Sequence, residues 1–319
     1  MTCESNQSSR VAVLVPCYNE AVTIAQVVRD FRKALPEAII YVYDNNSSDD
    51  TAGIARECGA MVRHVGLQGK GNVIRRMFAD IEADIYVMVD GDATYHAPSA
   101  PVMVQRMLLE GLDMVVGSRK SEEQAAYRAG HRFGNQMLTG FVTVLFGRSF
   151  SDMLSGYRVF SRRFVKSFPA QAQGFETETE LTVHALEMRV PAAEVETPYG
   201  ARPEGSFSKL STYRDGWRIL QTILLLLRTE RPLAFFGSAG LLLMALALTL
   251  AWPLFWTYAE TGLVPRLPTA VLVMGLLLLA SLSFVCGLVL DTMTRARHEL
   301  KRIAYLAHPG PALVAGSQA

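Results

Sequence analysis

The chain has 319 residues, of which 50% are apolar and only 19% charged, with a formal net charge of +1. That length exceeds one minimal domain and leaves room for a catalytic domain plus an appendage, while the near-zero charge excludes the broad basic field of a nucleic-acid-binding protein. Four scattered cysteines, Cys3, Cys17, Cys58 and Cys286, form no C-x-x-C pair and exclude a zinc or disulfide scaffold, and the apolar excess points to membrane contact.

The polar segment Met1 to Arg10 lacks the apolar stretch of a secretory signal, so the first domain is expected in the reducing cytosol. From Val11 to about Val190, short β-rich runs alternate with helical stretches, the rhythm of an α/β domain. A strand at Val11–Val15 runs into Pro16 and a helix follows at Ala21–Ala34. The next strand, Ile39–Tyr43, ends at Asp44, before a helix at Thr51–Cys58 with Asp49 or Asp50 as N-cap and Gly59 as its stop. Further strands are expected at Met61–Val65, Ile85–Val89 and Met114–Val116. Polar residues gather at the carboxyl ends of these strands, the edge at which open parallel sheets bind ligands. Phe175 to Glu180 opens a helix in which Leu181, Ala185 and Met188 share one face; Glu176, Glu178 and Glu180 either favour its N-terminus through the dipole or serve a site.

Beyond the α/β region, Tyr213–Arg228 places Arg214, Arg218, Gln221 and Arg228 opposite Ile219, Leu220, Ile223, Leu226 and Leu227. Such a helix fits either the side of the catalytic domain or, as favoured here, the headgroup layer. Leu233–Trp256 and Thr269–Leu290 are charge-free and long enough to cross a ~30 Å hydrocarbon core. Arg228 and Arg231 precede this pair and Arg295, Arg297, Lys301 and Arg302 follow it, whereas the connection holds only Glu260 and Arg266, so both ends are expected in the cytoplasm. The small-residue tail from Pro309 to Ala319 is expected to be disordered.

Asp90-Gly91-Asp92 stands where an apolar strand leaves the sheet. Two carboxylates separated by one small residue can hold a hard cation, Mg²⁺ or Mn²⁺, which would stabilise a departing diphosphate; a D-x-D turn can also be plain solvated decoration. VAVLVPCYNE outlines a base-and-ribose pocket, and Asp44 in IIYVYDNNSSDDT can accept from a base or a ribose hydroxyl, although Asn, Asp and Ser are also ordinary turn and cap residues. Arg119, Arg128 and Arg132 are either a solvated basic face or guanidinium forks for a lipid phosphate. Arg202 to Lys209 is a basic Pro/Gly loop able to fold over a donor. His64, His96, His131 and His184 show no pairing and read as structural.

Taken in order, VPCYNE, YDNNSSDDT, Gly69-Lys70-Gly71, DGD, Gly117-Ser118-Arg119 and Asp152-Met153-Leu154-Ser155-Gly156-Tyr157-Arg158 resemble glycosyltransferase family 2 from about Val11 to Leu210. Within it, the chain is most similar to the polyprenyl- and dolichyl-phosphate sugar synthases, whose bacterial members also carry a two-helix anchor. The resemblance implies a GT-A (Rossmann-like) domain at 11–210, an amphipathic membrane-surface helix at 211–231, a transmembrane hairpin at 232–291 and a cytoplasmic basic segment with its tail at 292–319. It implies Pro16, Tyr18, Glu20 and Asp44 around the nucleoside, Lys70 nearby, Asp90 and Asp92 on the metal and diphosphate, and Asp152, Arg202 and Lys209 on the donor. Arg119 and Arg132, backed by Arg128, are then the acceptor-phosphate candidates, and Glu180 stands near the acceptor. One departure is that relatives often follow the second aspartate with Leu-Gln, where this chain has Ala93-Thr94.

The expected reaction is one inverting displacement that moves a single sugar from a nucleotide donor, UDP favoured over GDP, to a polyprenyl phosphate such as undecaprenyl phosphate. It would take place at the cytoplasmic face of a bacterial inner membrane, with self-association left open. A transferase acting on a diacylglycerol-type lipid, which would need a general base, and a non-catalytic membrane scaffold are the alternatives.

Overall fold

The computed structural model describes residues 9–120, 140, 142–143, 150–171, 176–200, 202–203, 221 and 224–311. The chain divides into two compact units, Met1–Gly216 with Lys301–Ala319, and Trp217–Leu300.

In the first unit seven strands form one sheet: β1 (Val11–Cys17), β2 (Ile39–Asp44), β3 (Met61–His64), β4 (Ile85–Met88), β5 (Met114–Lys120), β6 (Arg158–Ser161) and β7 (Ala192–Pro198), in the order β3-β2-β1-β4-β6-β5-β7. β1 lies parallel to β2 and β4, β2 to β3, and β5 to β7, while β6 runs antiparallel between β4 and β5. Every residue of β4 is buried, as expected of a strand covered on both faces. Strand order reverses between β1 and β4, so the loops leaving these two strands diverge and open a crevice at their carboxyl ends.

The covering helices follow from their apolar spacing. α1 (Ile24–Ala34) buries Ile24, Val27, Val28 and Phe31, an i, i+3, i+4, i+7 stripe. It begins three residues later than expected, because the amides of Thr23 and Ile24 both turn back to the Glu20 carbonyl. α2 (Thr51–Glu57) starts where Asp49 Oδ1 accepts from the Thr51 amide at 3.1 Å, and Gly59, at φ 81°, follows its end. α3 (Lys70–Asp80), α4 (Ala100–Glu110), α5 (Arg162–Ser167) and α6 (Thr177–Glu187) follow in this unit. α4 repeats the stripe with Ala100, Met103, Val104 and Met107, each large member contributing ~1.5–3 kcal/mol by leaving water. The five expected strands are all present. β6 and β7 are additional.

The second unit holds α7 (Pro232–Thr261) and α8 (Leu267–Leu306) as far as Leu300, and the helical residues 224–230. Both expected apolar spans lie inside these helices, each of which is long and apolar enough to cross a membrane. Small residues line the seam: Gly237, Gly240 and Ala247 are buried on α7, and Val273, Ala280 and Gly287 recur at seven-residue intervals on α8. A Cβ on Gly240 would lie 3.0 Å from the Ala280 carbonyl oxygen, and Ser283 Oγ donates to the Phe236 carbonyl at 2.8 Å. Leu241, Leu242, Trp252, Phe255 and Leu278 face outward and are exposed. Small residues within and large apolar ones without is the arrangement of helix pairs that pack in lipid. Most of the amphipathic stretch Tyr213–Arg228, and the tail beyond residue 311, lie outside the described residues.

Candidate active site

The loops leaving β1 and β2 are sewn together by short polar side chains. Asn19, with φ 52°, accepts at Oδ1 from the Ser48 amide at 2.7 Å and donates its own amide to Ser47 Oγ at 2.9 Å. The Glu20 amide reaches Thr51 Oγ1 and the Ala21 amide reaches Asp49 Oδ2, at 2.9 and 3.1 Å. Asn45, whose importance the sequence did not reveal, donates from Nδ2 to the carbonyls of Val65 and Leu67 and accepts at Oδ1 from the Gly69 amide. It therefore ties the β2 loop to the start of α3. Pro16 lies at the end of β1 beside Tyr43, and Tyr18 and Glu20 follow on the loop, Tyr18 being exposed. Asp44 is only 5% exposed: Oδ2 lies 3.3 Å from His64 Nδ1, and Oδ1 is buried without a hydrogen-bond partner among the described residues. A buried carboxylate oxygen left unpaired costs free energy and marks a place where a donor group belongs.

Asp90 and Asp92 emerge from β4 one strand away. Gly91 allows the close approach: a Cβ there would lie 2.7 Å from Cys17 Sγ, and Thr23 Oγ1 donates to the Gly91 carbonyl at 2.7 Å. Gly156 does the same for Asp90, since a Cβ at 156 would stand 2.5 Å from Asp90 Oδ2. Asp92 is 4% exposed; its Oδ1 accepts from Thr94 Oγ1 at 2.6 Å and its Oδ2 pairs with the Arg202 guanidinium at 2.7 Å. Thr94, standing where relatives often carry glutamine, thus orients the second aspartate through its hydroxyl. Between them Ala93 adopts φ 56°, left-handed backbone that is uncommon for a residue with a Cβ, and strain of this kind gathers at functional sites.

Arg202 reaches Asp92 because the chain leaving β7 turns back along the segment after the carboxylate pair. Tyr199 forms an antiparallel bridge with Tyr95, and the Gly200 amide donates to the Thr94 carbonyl at 2.9 Å. Lys70, the first residue of α3, places Nζ 2.5 Å from Asp90 Oδ1 and also pairs with Glu178. Burial alone would push the Lys70 ammonium down, but the Asp90 and Glu178 carboxylates outweigh it and hold the ammonium well above its ordinary range. Glu178 is 4% exposed, with Oε2 buried and without a hydrogen-bond partner among the described residues. Of the three glutamates opening α6, Glu178 meets the carboxylate pair through Lys70, whereas Glu180 Oε1 accepts from the Gln171 amide at 2.9 Å.

Arg119, at the end of β5, grips Asp152 with both arms of its fork: Nε to Oδ2 at 2.6 Å and one terminal nitrogen to Oδ1 at 2.8 Å. The Tyr199 ring lies 5.4 Å from the guanidinium carbon. The turn carrying Asp152 and Gly156 is held from beneath by Arg158, which is wholly buried and donates to the carbonyls of Met153 and Ser155 and to Thr182 Oγ1. Burial pushes this guanidinium down to about 10, so it remains charged near neutrality. Arg128, Arg132 and Lys209 lie outside the described residues.

The donor set at Asp90 and Asp92 fits a hard divalent ion. Both groups offer carboxylate oxygens, and each already holds a positive charge, Lys70 on one and Arg202 on the other. A carboxylate pair at the switch point of a largely parallel sheet, with an unpaired buried acceptor at Asp44, is an arrangement that suits an α/β transferase of GT-A type. Residues 12–168 match the sequence profile of Glycosyl transferase family 2. Glycosyltransferase AglJ of Haloferax volcanii is 33% identical over 299 residues, covering 93% of this chain and 98% of the relative. The Dolichyl-phosphate hexose transferase of the same organism is 25% identical over 221 residues, covering 69% of this chain and 95% of that one. Among solved structures, glucosyl-3-phosphoglycerate synthase from Mycobacterium tuberculosis, in complex with Mn²⁺, UDP-glucose and glycerol 3-phosphate, superposes with a TM-score of 0.56 at 25% identity, covering 69% of this chain and 79% of that one. The chain belongs to glycosyltransferase family 2, and it is an enzyme of the GT-A fold with two apolar C-terminal helices.

Proposed function

We propose that the protein transfers one sugar, with inversion, from a nucleotide donor of the UDP type to a polyprenyl phosphate at the cytoplasmic membrane face. The observation that carries the donor half is the Asp90/Asp92 pair with Lys70 and Arg202 against it, beside the unpaired Asp44 oxygen. The acceptor half is supported by the dolichyl-phosphate relative and by the small-residue seam and apolar exterior of the α7–α8 pair.

In this reading Asp44, Tyr18, Pro16 and Glu20 would receive the nucleoside, and Asp90 and Asp92 would hold Mg²⁺ or Mn²⁺. The bound ion supplies charge neutralisation for the departing diphosphate. A phosphate oxygen of the lipid attacks the anomeric carbon, the bond from that carbon to the donor diphosphate breaks, and the nucleoside diphosphate leaves with the electron pair. The nucleophile needs no base, because a phosphate monoester with a second pKa near ~6 is already mostly dianionic at neutral pH. Arg119, its plane fixed by Asp152, and Arg132 with Arg128 would bring that anion forward against repulsion from the donor. A hydroxyl acceptor would need a base instead, and the Glu178 carboxylate is already engaged by the Lys70 ammonium.

The test is transfer of radiolabelled sugar from a panel of UDP- and GDP-sugars, with Mn²⁺, to undecaprenyl phosphate or to diacylglycerol. Product on the polyprenyl phosphate alone is expected, whereas product on diacylglycerol alone would overturn the acceptor assignment. For topology, a cysteine placed at Gly262 is expected to react with an impermeant reagent from outside and one at Ala307 is not. Equal labelling from one side would refute cytoplasmic ends.

A further inference from the structure

We propose that Lys70 and Arg202 are resident counter-ions of the two metal-site carboxylates, so that a divalent ion binds productively only together with a diphosphate that takes both side chains over. The inference rests on the donor reading above. It goes further in assigning an order to the binding events and a reason for that order.

Asp90 Oδ1 is 2.5 Å from Lys70 Nζ, and Asp92 Oδ2 is 2.7 Å from the Arg202 guanidinium. Both aspartate oxygens are therefore already engaged by N–H donors of full positive charge, in a setting where neither aspartate side chain is more than 28% exposed. Asp92 Oδ1 is likewise committed, to the Thr94 hydroxyl. A cation arriving alone would have to displace these donors or sit beside them, and either course leaves a displaced ammonium or guanidinium facing the new charge in a poorly solvated site.

Charge balance points the same way. Asp90, Asp92, Glu178 and the neighbouring Glu20 exceed Lys70, Arg202 and the buried Arg158 by one negative charge. A divalent ion by itself reverses that sign. The diphosphate of a sugar nucleotide is doubly negative and restores it, giving the two displaced side chains a partner in the same movement: a point-charge ammonium and a planar fork, both suited to phosphate oxygens. Both residues have the means to move. Lys70 and Arg202 both carry their charge at the end of a long side chain, and the Arg202 side chain is 30% exposed. Glu178, with one oxygen already unpaired, is the group to which Lys70 returns after product leaves.

This exchange makes metal and nucleotide binding mutually dependent, and by linkage each must strengthen the other equally. The experiment is titration of the full chain in detergent with Mn²⁺, free ion being read by electron paramagnetic resonance, with and without saturating UDP. UDP is expected to tighten Mn²⁺ binding by at least ~10-fold in the native protein. In Arg202→Gln, Mn²⁺ alone should bind ~10-fold tighter than in the native protein, and the gain from UDP should shrink correspondingly, because the guanidinium no longer competes for Asp92. Lys70→Met should act in the same direction; if burial of Glu178 without its partner unfolds that variant, the partly exposed Arg202 still decides the matter. Equal Mn²⁺ affinity with and without UDP, or an Arg202→Gln protein whose metal binding is unchanged or weaker, overturns the exchange while leaving the donor site standing. Absence of Mn²⁺ binding under both conditions overturns the donor reading and the exchange together.

Discussion

The two ends of the site are built from different materials. The end proposed for the nucleoside is fastened by neutral, short-range contacts, Asn19 to Ser47 and Ser48 and Asn45 to the β3–α3 connection, each of which involves a backbone group. The diphosphate end is fastened by side-chain charge, in the pairs Lys70–Asp90, Arg202–Asp92 and Arg119–Asp152. The first kind of contact fixes a shape before any ligand arrives. The second can be traded for contacts to a charged ligand at little net loss, since one ion pair replaces another. A rigid pocket for the base and an exchangeable one for the phosphates is a workable division for an enzyme that must hold its donor and then release the cleaved half.

The strongest way to break this comparison is at the charged end. Asp92→Asn should lower turnover by ~1,000-fold or more, the scale of losing a principal electrostatic stabiliser, while circular-dichroism melting stays close to native because volume and the Thr94 contact are kept. Near-normal rates at saturating Mn²⁺ would remove Asp92 from the chemistry. Gly156→Ala comes next: its Cβ would have to displace Asp90, and a loss of ~100-fold in rate is expected of a misplaced reacting geometry. A loss of Mn²⁺ and UDP affinity in the same variant would locate the damage at Asp90. An active variant would show that the turn can yield.

At the fixed end the effects should be smaller and of a different kind. Asp44→Asn should weaken donor binding ~10- to 30-fold in calorimetric titration, about the value of one charge-assisted hydrogen bond. Its melting temperature should hold or rise, because the substitution removes a buried charge with an unpaired oxygen. Unchanged affinity would mean that this oxygen serves no donor. The smallest effect returns to the charged end: Arg119→Ala is expected to reduce use of the lipid phosphate by ~10-fold with donor affinity little altered. A loss confined to donor binding would move Arg119 from the acceptor side to the nucleotide side.

The strands that carry the carboxylates were plain in the sequence because each is an apolar run ended by a single polar residue, Asp44 or Asp90. β6 was hidden, since it opens on Arg158 and no periodicity announces an arginine that will be wholly buried. β7 alternates with Glu194 and Glu196 and reads as a polar edge. The glutamates opening α6 stand at every second position, and eight of the helix's eleven residues are buried, so spacing alone could not say which would face Lys70. Arg202 was legible as a basic loop residue. Its pairing with Asp92 depends on the Tyr95–Tyr199 bridge between segments about a hundred residues apart, which local pattern does not encode.

The seam of the α7–α8 pair bears on how the proposed polyprenyl acceptor would approach. Where Gly240 faces Ala280, even a methyl group would press on the opposing backbone, and at Gly287 it would stand 3.2 Å from Phe236 Cβ. Helices in such close contact leave no room for a prenyl chain between them, so the hairpin offers no tunnel along its axis at these levels. The carrier's tail would stay among the surrounding acyl chains, in contact with the outward leucines and aromatics, and only its phosphate would have to leave the hydrocarbon. An enzyme so arranged would have little means of measuring tail length, and carriers differing by a few isoprene units would serve it nearly alike.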